Sequence, residues 1–286
     1  MSKLNENADL VGTLLRVKNW GDNTWAFEYP RLSSGVYDVF YEVIEAWEAG
    51  DDETAEREYR ELIATFPEFI DVQHHLALLL EETGRRPEAM RIRTQVVSLG
   101  LRVLEDGFTR GKDLLPWGIL DNRPFLRAYN GLGIAWLEDG KVEAALSAFN
   151  AILEMNPNDN QGVRALAIHC CFLLDHPEGV LAICDRYEGD SMEQVLYGRV
   201  LALLQLGRMA EAEDALSVAA DFLPLIAKEL VKVRHRKPKD FDYDYIALWS
   251  PGQAYYYWIK EGKLWRRTPG AIDFVREYLE EHEVGE

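Results

Sequence analysis

The sequence predicts an all-α protein, a right-handed α-solenoid of about five helix pairs completed by a C-terminal helical cap. One observation is a recurring turn residue, which is followed at fixed spacings by a small residue, a bulky residue and a proline. Another is the helical spacing of apolar residues before each turn, as in Val200, Leu203 and Leu204. The composition, 48% apolar and 28% charged, is typical of a folded chain and argues against disorder.

The repeat is defined by a glycine, then a small residue, a bulky residue and a proline. Three clear copies are Gly50, Ala55, Tyr59 and Pro67; Gly140, Ala145, Phe149 and Pro157; and Gly207, Ala212, Leu216 and Pro224. Two weaker copies are Gly84 and Ala89, where Arg93 replaces the bulky apolar residue, and Asp175, Val180 and Cys184.

Each repeat position has a physical reason. Glycine permits the positive φ that ends the first helix of a pair and lets the chain reverse. The small residue allows two antiparallel helices to approach closely, and the bulky residue lies on the same helical face. Proline cannot continue a helix interior, so it ends the second helix.

These spacings divide the chain into segments. The predicted repeat units are residues 36–69, 70–103, 126–159, 160–192 and 193–226. The segments outside them are an irregular N-terminal arm at 1–35, an insertion at 104–125, a linker at 227–249 and capping helices at 250–286.

The period of 34 residues between Gly50 and Gly84, the small residue at Ala77 or Gly133 and the Ala-to-bulky-to-Pro series resemble the tetratricopeptide repeat. The resemblance covers about two thirds of the chain and implies an interaction scaffold without naming a ligand. The C-terminal segment SPGQAYYYWIKEGKLWRRTPGAIDFV further resembles the suppressor-of-tumorigenicity-seven family, which implies no known reaction.

The first helix of each pair is expected to line a concave groove. Candidate groove residues are those that avoid the apolar stripe: Phe40, Tyr41, Gln73, His74, Arg127, Asn130, Glu138, Arg164, His169 and Tyr197. The carboxylate clamp known in part of the family is absent, because Phe40 and Ile44 stand where it has Lys and Asn. Arg127, Asn130 and Arg164 remain candidates for binding an acidic group.

The arm and the insertion each have a structural and a functional interpretation. The insertion interrupts the regular spacing of the repeats. Trp117 either fills the gap that this interruption leaves or contacts a partner. The arm at 1–35 either packs along the first helices or binds a partner. Asn122 is expected to cap the helix that starts with Arg123 and Pro124.

Catalytic and metal chemistry find no support in the sequence. Cys170 and Cys171 are adjacent, so they point about 100° apart on a helix and cannot both face one ion. No CxxC or HxxxH spacing, phosphate loop or nucleophile elbow occurs. We therefore expect no cofactor, no metal and no enzymatic activity.

The formal net charge of -18 favours basic partners and disfavours nucleic acid and anionic membranes. The expected function is a cytoplasmic scaffold that binds a peptide or helix of a protein partner. A self-associating structural module is the alternative, and the oligomeric state stays open. A third hypothesis is nucleic-acid binding through the basic stretch KVRHRKPK at 232–239, which is otherwise a linker or an internal partner for acidic surface.

Overall fold

The computed structural model describes residues 14–105, 107–243 and 245–282, and it confirms the all-α solenoid fold. The chain forms two compact units, Met1–Val163 and Arg164–Glu286, which are described separately. The first unit contains strands β1 (Arg16–Gly21) and β2 (Thr24–Glu28) and helices α1 (Ser34–Glu48), α2 (Asp52–Thr65), α3 (Ile70–Glu82), α4 (Arg86–Leu104), α5 (Arg123–Glu138) and α6 (Val142–Met155). The second contains α7 (Val163–Leu173), α8 (Pro177–Arg186), α9 (Glu193–Gln205), α10 (Met209–Phe222), α11 (Pro224–Leu230), α12 (Pro251–Arg267) and α13 (Ala271–His282).

The helix pairs follow the repeat positions in the sequence. Gly50, Gly84, Gly140 and Gly207 all have positive φ and lie in the turns that end α1, α3, α5 and α9. Asp175, which replaces glycine in the weakest unit, also has positive φ at 50°. These turns therefore use the left-handed conformation that the sequence pattern predicted.

Close approach between neighbouring helices depends on residues without a side chain. A Cβ on Gly133 of α5 would lie 2.5 Å from the ring of Phe149 on α6. A Cβ on Gly100 of α4 would lie 2.3 Å from the ring of Phe125 on α5. The first contact joins the two helices of one pair, whereas the second joins α4 and α5, which lie on either side of the interruption in the repeat.

The N-terminal arm contains a β-hairpin where an irregular segment was expected. Strands β1 and β2 pair antiparallel, and the turn residues Asp22 and Asn23 have φ of 49° and 59°. Two successive residues with positive φ are typical of the tight turns that match the twist of a hairpin. The aromatic residues of this arm therefore belong to a small sheet.

The insertion is joined to this hairpin. The backbone N–H of Trp25 donates to the carbonyl of Leu114, and that of Leu114 donates to the carbonyl of Asn23. The side chain of Asn122 is fully buried, accepts from the N–H of Phe27 and donates to the carbonyls of Trp25 and Pro116. Helix α5 begins at Arg123 as predicted, but Asn122 does not cap it with its side chain.

The segment predicted as a linker at 227–249 begins inside a helix. Pro224 starts α11, whose Ile226, Ala227 and Leu230 are buried. The basic stretch that follows is held against the second unit, because Lys232 and His235 both bond the buried carboxylate of Glu229. This placement agrees with the interpretation of the stretch as an internal partner for an acidic group.

We predict that Asn122→Ala destabilises the first unit by about 2–4 kcal/mol, because one buried and two partly buried backbone groups lose their hydrogen-bond partner. Urea unfolding followed by circular dichroism measures this. Asn150→Ala, at a half-buried position of α6, is the matched control and should change stability by less than about 0.5 kcal/mol. Equal stabilities of the two variants would contradict the role given to Asn122.

Candidate functional site

Polar side chains from α3, α4 and α5 meet in the first unit. We call Asp71, His74, Arg93, Arg127 and Asn130 the inner polar cluster. Arg127 on α5 donates to the carboxylate of Asp71 on α3 at 2.6 Å, which joins two successive first helices. Arg93 on α4 is 3% exposed and is paired with Glu81 at the end of α3. The cluster therefore contains buried charges that are paired within the fold.

The backbone of α5 comes close to this cluster at Gly131. A Cβ at Gly131 would lie 3.1 Å from Cε1 and 3.5 Å from Nδ1 of His74, and 3.7 Å from Nε of Arg93. Two polar nitrogens from α3 and α4 thus converge on a backbone that has no side chain. Any larger residue at this position would fill the space in front of them.

Several polar atoms of the inner polar cluster have no hydrogen-bond partner among the described residues. They are Oδ1 of Asp71, Nδ1 of His74, Nε of Arg93, Nε of Arg127 and Oδ1 of Asn130. Buried polar groups are nearly always hydrogen-bonded in folded proteins, so a concentration of such atoms is unusual. Both donors and acceptors are represented among them.

Two tyrosines border the cluster near Asp71. Burial, together with the charges of Asp121 and Asp71, raises the pKa of Tyr37 on α1 to about 12. The pKa of Tyr29, which follows β2, is also raised, first by burial and then by Tyr37, Asp71 and Asp121. The N-terminal arm thus comes close to the cluster, and its tyrosine hydroxyl is neutral at physiological pH.

A cleft of about 430 Å³ gives access to Arg93 from one side. It is lined by Glu81, Arg86, Pro87, Met90, Arg93, Ala135 and Asp139. Glu138, a predicted groove residue, is exposed beside it and pairs with Arg86 at 2.7 Å. Trp117 is not part of this site. Its backbone N–H donates to Oδ1 of Asn156, and the guanidinium of Arg123 lies over its ring.

In the second unit, the predicted groove residues contact the chain's own helices. His169 on α7 bonds Glu261 on α12 at 2.9 Å. Tyr197 on α9 is fully buried, and its ring packs against Tyr257 and Trp265 of α12. The structure places both against α12, whereas the sequence prediction placed them in an open groove.

Helix α12 follows α9 along its length. Gln253 near its start bonds Glu193 at the start of α9, and Thr268 after its end bonds Gln205 at the end of α9. The two helices therefore run in the same direction. Arg164, the remaining candidate, pairs with Asp190 at 2.6 Å and lies over the ring of Tyr187.

The three cysteines carry no sign of a reactive or metal site. All are buried, and burial raises the pKa of Cys170 to about 12, of Cys171 to about 11 and of Cys184 to about 12. Thiols with such pKa values stay protonated at neutral pH. Within the described ranges, no group of three or more His, Cys, Asp or Glu residues is arranged to hold a metal ion.

Comparison with known proteins supports the fold. Residues 118–160, which include α5 and α6, match the family model described as tetratricopeptide repeat. The fold is that of a tetratricopeptide-repeat solenoid. No curated protein matches the chain. The resemblance of the C-terminal segment to the suppressor-of-tumorigenicity-seven family stays a prediction.

Solved structures resemble the chain at low sequence identity. A tetratricopeptide repeat protein from Parabacteroides merdae is 14% identical with a TM-score of 0.52, over 88% of this chain and 80% of that one. YrrB, a tetratricopeptide repeat protein with an unusual peptide-binding site, is 14% identical with a TM-score of 0.46, over 79% and 94%. A structure of Naa15/Naa10 bound to HypK-THB is 13% identical with a TM-score of 0.49, and the match covers 87% of this chain and 34% of that one. At 14% identity, the match to the Parabacteroides merdae protein shows the fold alone.

No described helix is both long enough and apolar enough to cross a membrane.

The sequence prediction missed several members of the site. Arg93 carried a signal, because it stands where the repeat has a bulky apolar residue. Asp71 and Tyr37 had none, since acids and tyrosines are common on first helices. Tyr29 joins the site only through the fold of the hairpin.

We predict that His74 makes stability depend on pH. Burial and the nearby charges of His75, Arg127 and Arg93 lower its pKa to about 3 from an ordinary 6.5. Because the unfolded chain then binds the proton more readily, stability falls as the pH drops from 6.5 towards 3. At pH 5 the loss attributable to His74 is about 2 kcal/mol.

Urea unfolding of wild type and His74→Gln at pH 8 and pH 5 measures this effect. The variant should lose about 2 kcal/mol less than wild type between the two pH values. His176→Gln, at an exposed histidine, is the control and should follow the wild type. Parallel pH profiles for wild type and His74→Gln would show that His74 is not held neutral by the fold.

Proposed function

We propose that this chain is a non-catalytic interaction scaffold whose first unit binds the main chain of an extended peptide at the inner polar cluster. The observation that carries the proposal is the set of buried donors and acceptors without partners at His74, Arg93, Arg127 and Asn130. They lie on first helices and on the second helix between them, and the backbone of Gly131 lies close to His74 and Arg93.

The charges of the site favour a neutral polar ligand. Arg127 is paired with Asp71 and Arg93 with Glu81, so neither guanidinium is a free counter-ion for a carboxylate. A peptide main chain alternates N–H donors and C=O acceptors. Nε of Arg93 or Arg127 would donate to such a carbonyl, and Oδ1 of Asn130 would accept from such an N–H. This matching supports main-chain recognition over the binding of an acidic group.

The alternatives differ in what supports them. A self-associating module is the second candidate, because solenoids bury exposed apolar faces against further repeats or copies. Nucleic-acid binding through 232–239 is disfavoured, since Lys232 and His235 bond Glu229 and Lys237 lies over the rings of Phe241 and Tyr243. A cytoplasmic location remains part of the proposal.

Selection of peptides from a random library of about 12 residues, displayed on phage, tests the proposal on the full chain. We predict that a selected peptide binds Asn130→Ala roughly tenfold more weakly, which corresponds to the loss of one hydrogen bond in a desolvated site. Oδ1 of Asn130 has no hydrogen-bond partner among the described residues, so the variant should remain about as stable as wild type. Asn150→Ala on α6 is the matched control and should bind like wild type.

Two results would contradict this function. Selected peptides that bind Asn130→Ala and wild type equally would show that the cluster is not the peptide site. A stable dimer in light scattering, together with no selected peptide, would favour the self-associating module instead.

A further inference from the structure

The second unit has a cleft where one helix is short. Helix α8 ends after 10 residues, whereas the next second helix, α10, has 14. In place of another turn of helix, the chain forms a turn that contains Gly189 with φ of 81°. A cleft of about 350 Å³ lies between this turn, α9 and α10. It is on a different part of the molecule from the inner polar cluster.

This first cleft has an apolar floor and wall. Cys184 and Val195 are buried at its floor, and Leu196 and Ala215 are partly buried beside them. Val218 and Phe222 form the wall, and each is 53% exposed. Because Val218 and Phe222 are four residues apart on α10, their side chains are neighbours on one face of that helix.

A second cleft adjoins the first at Phe222. It has a volume of about 260 Å³ and is lined by Asp221, Phe222, Leu223, Pro224, Leu225, Ile226, Trp249, Ser250, Gln253 and Ala254. Phe222 thus separates two hollows of similar size. Exposed apolar side chains border both clefts, Val218 and Phe222 in the first and Phe222 and Trp249 in the second.

Trp249 is held in a fixed position at the edge of the second cleft. It is 65% exposed and has φ of 55°, a conformation that a large side chain rarely adopts. The backbone N–H of Trp249 donates to Oε1 of Gln253, and Nε2 of Gln253 donates to the carboxylate of Glu193. The indole is therefore exposed to solvent, and it offers a partner a large apolar face with one polar N–H.

The surroundings of both clefts are acidic. Helix α10 carries Glu211, Glu213, Asp214 and Asp221 and has no Lys or Arg. The lining of the first cleft has three acids, Asp185, Glu188 and Asp190, and one base, Arg199, which pairs with Asp185. The whole chain has a formal charge of -18. An occupant with positive charges beside its apolar residues is complementary to this surface.

We propose that Val218, Phe222 and Trp249, which we call the α10 surface, dock a cationic amphipathic helix of a protein partner. The two clefts each accept a large apolar side chain from one face of that helix. Its flanking Lys and Arg side chains meet Asp214, Asp221 and Glu188. An amphipathic helix presents its apolar anchors at spacings of three, four and seven residues, which suits two adjacent hollows.

A labelled helical peptide of about 18 residues, with Leu at those spacings and Lys elsewhere, is the probe. Fluorescence anisotropy should show saturable binding to the full chain that weakens as salt is added. Val218→Ala/Phe222→Ala, which leaves the charge unchanged, should weaken binding roughly tenfold or more. Met209→Ala is the matched control, because Met209 is exposed on the same helix but lines neither cleft.

The charge requirement has its own controls. Asp214→Asn/Asp221→Asn should weaken binding more than Glu42→Gln/Glu45→Gln, which removes two exposed acids from α1. Equal losses from the two double variants would reduce the interaction to general charge attraction and overturn the proposal. Equal binding of a peptide with Glu in place of Lys would overturn it as well.

Two further outcomes would also overturn the proposal. One is a loss of affinity in Met209→Ala as large as in Val218→Ala/Phe222→Ala. The other is a wild-type dimer in light scattering that the Val218→Ala/Phe222→Ala variant dissociates, since the α10 surface would then be an interface between copies of the chain.

Discussion

The ring of Phe125 lies directly on the backbone of Gly100, and the arrangement of the first unit depends on this contact. The repeat is interrupted between α4 and α5, so their packing cannot rely on the regular spacing of the array. Gly100 has no side chain to hold α5 away, and Phe125 also packs against Phe27 of the hairpin and Tyr129 of its own helix. Helix α5 is thereby placed beside α3, where Arg127 reaches Asp71.

The inner polar cluster follows from a departure from the repeat. In a regular unit the position of Arg93 holds a bulky apolar residue that fills the space between pairs. A guanidinium there must be paired, and Glu81 at the end of α3 pairs with it. Gly131 then leaves room for the arginine and for His74, which is buried in the neutral form. A substitution that would weaken an ordinary repeat here creates a polar site.

Much of the fold was predictable because it is local. The glycine, alanine and proline spacings specify helix pairs, since each pair is made from about 34 neighbouring residues. The hairpin was missed because it has just two short strands, and the turn residues between them were read as part of an irregular segment. Helix α11 was missed because Pro224 was assigned to the end of the preceding unit, whereas it starts the next helix.

The candidate site was predictable only in part. Helical spacing identified His74, Arg127 and Asn130 as residues outside the apolar stripe. Their partners depend on which helices meet across the break in register, and no local pattern contains that information. The same holds for His169 and Tyr197, whose contacts come from a helix more than 50 residues further along the chain.

The bonds between Asn122 and the hairpin also have a kinetic consequence. In a solenoid each repeat contacts its neighbours, so folding can proceed as the chain is made. Phe27 and Asn122 are 95 residues apart, and α1 to α4 lie between them. The hairpin therefore completes its contacts only after the insertion has left the ribosome. We infer that docking of the hairpin is the late step in the folding of this unit, because loop closure over such a distance is slow compared with helix pairing.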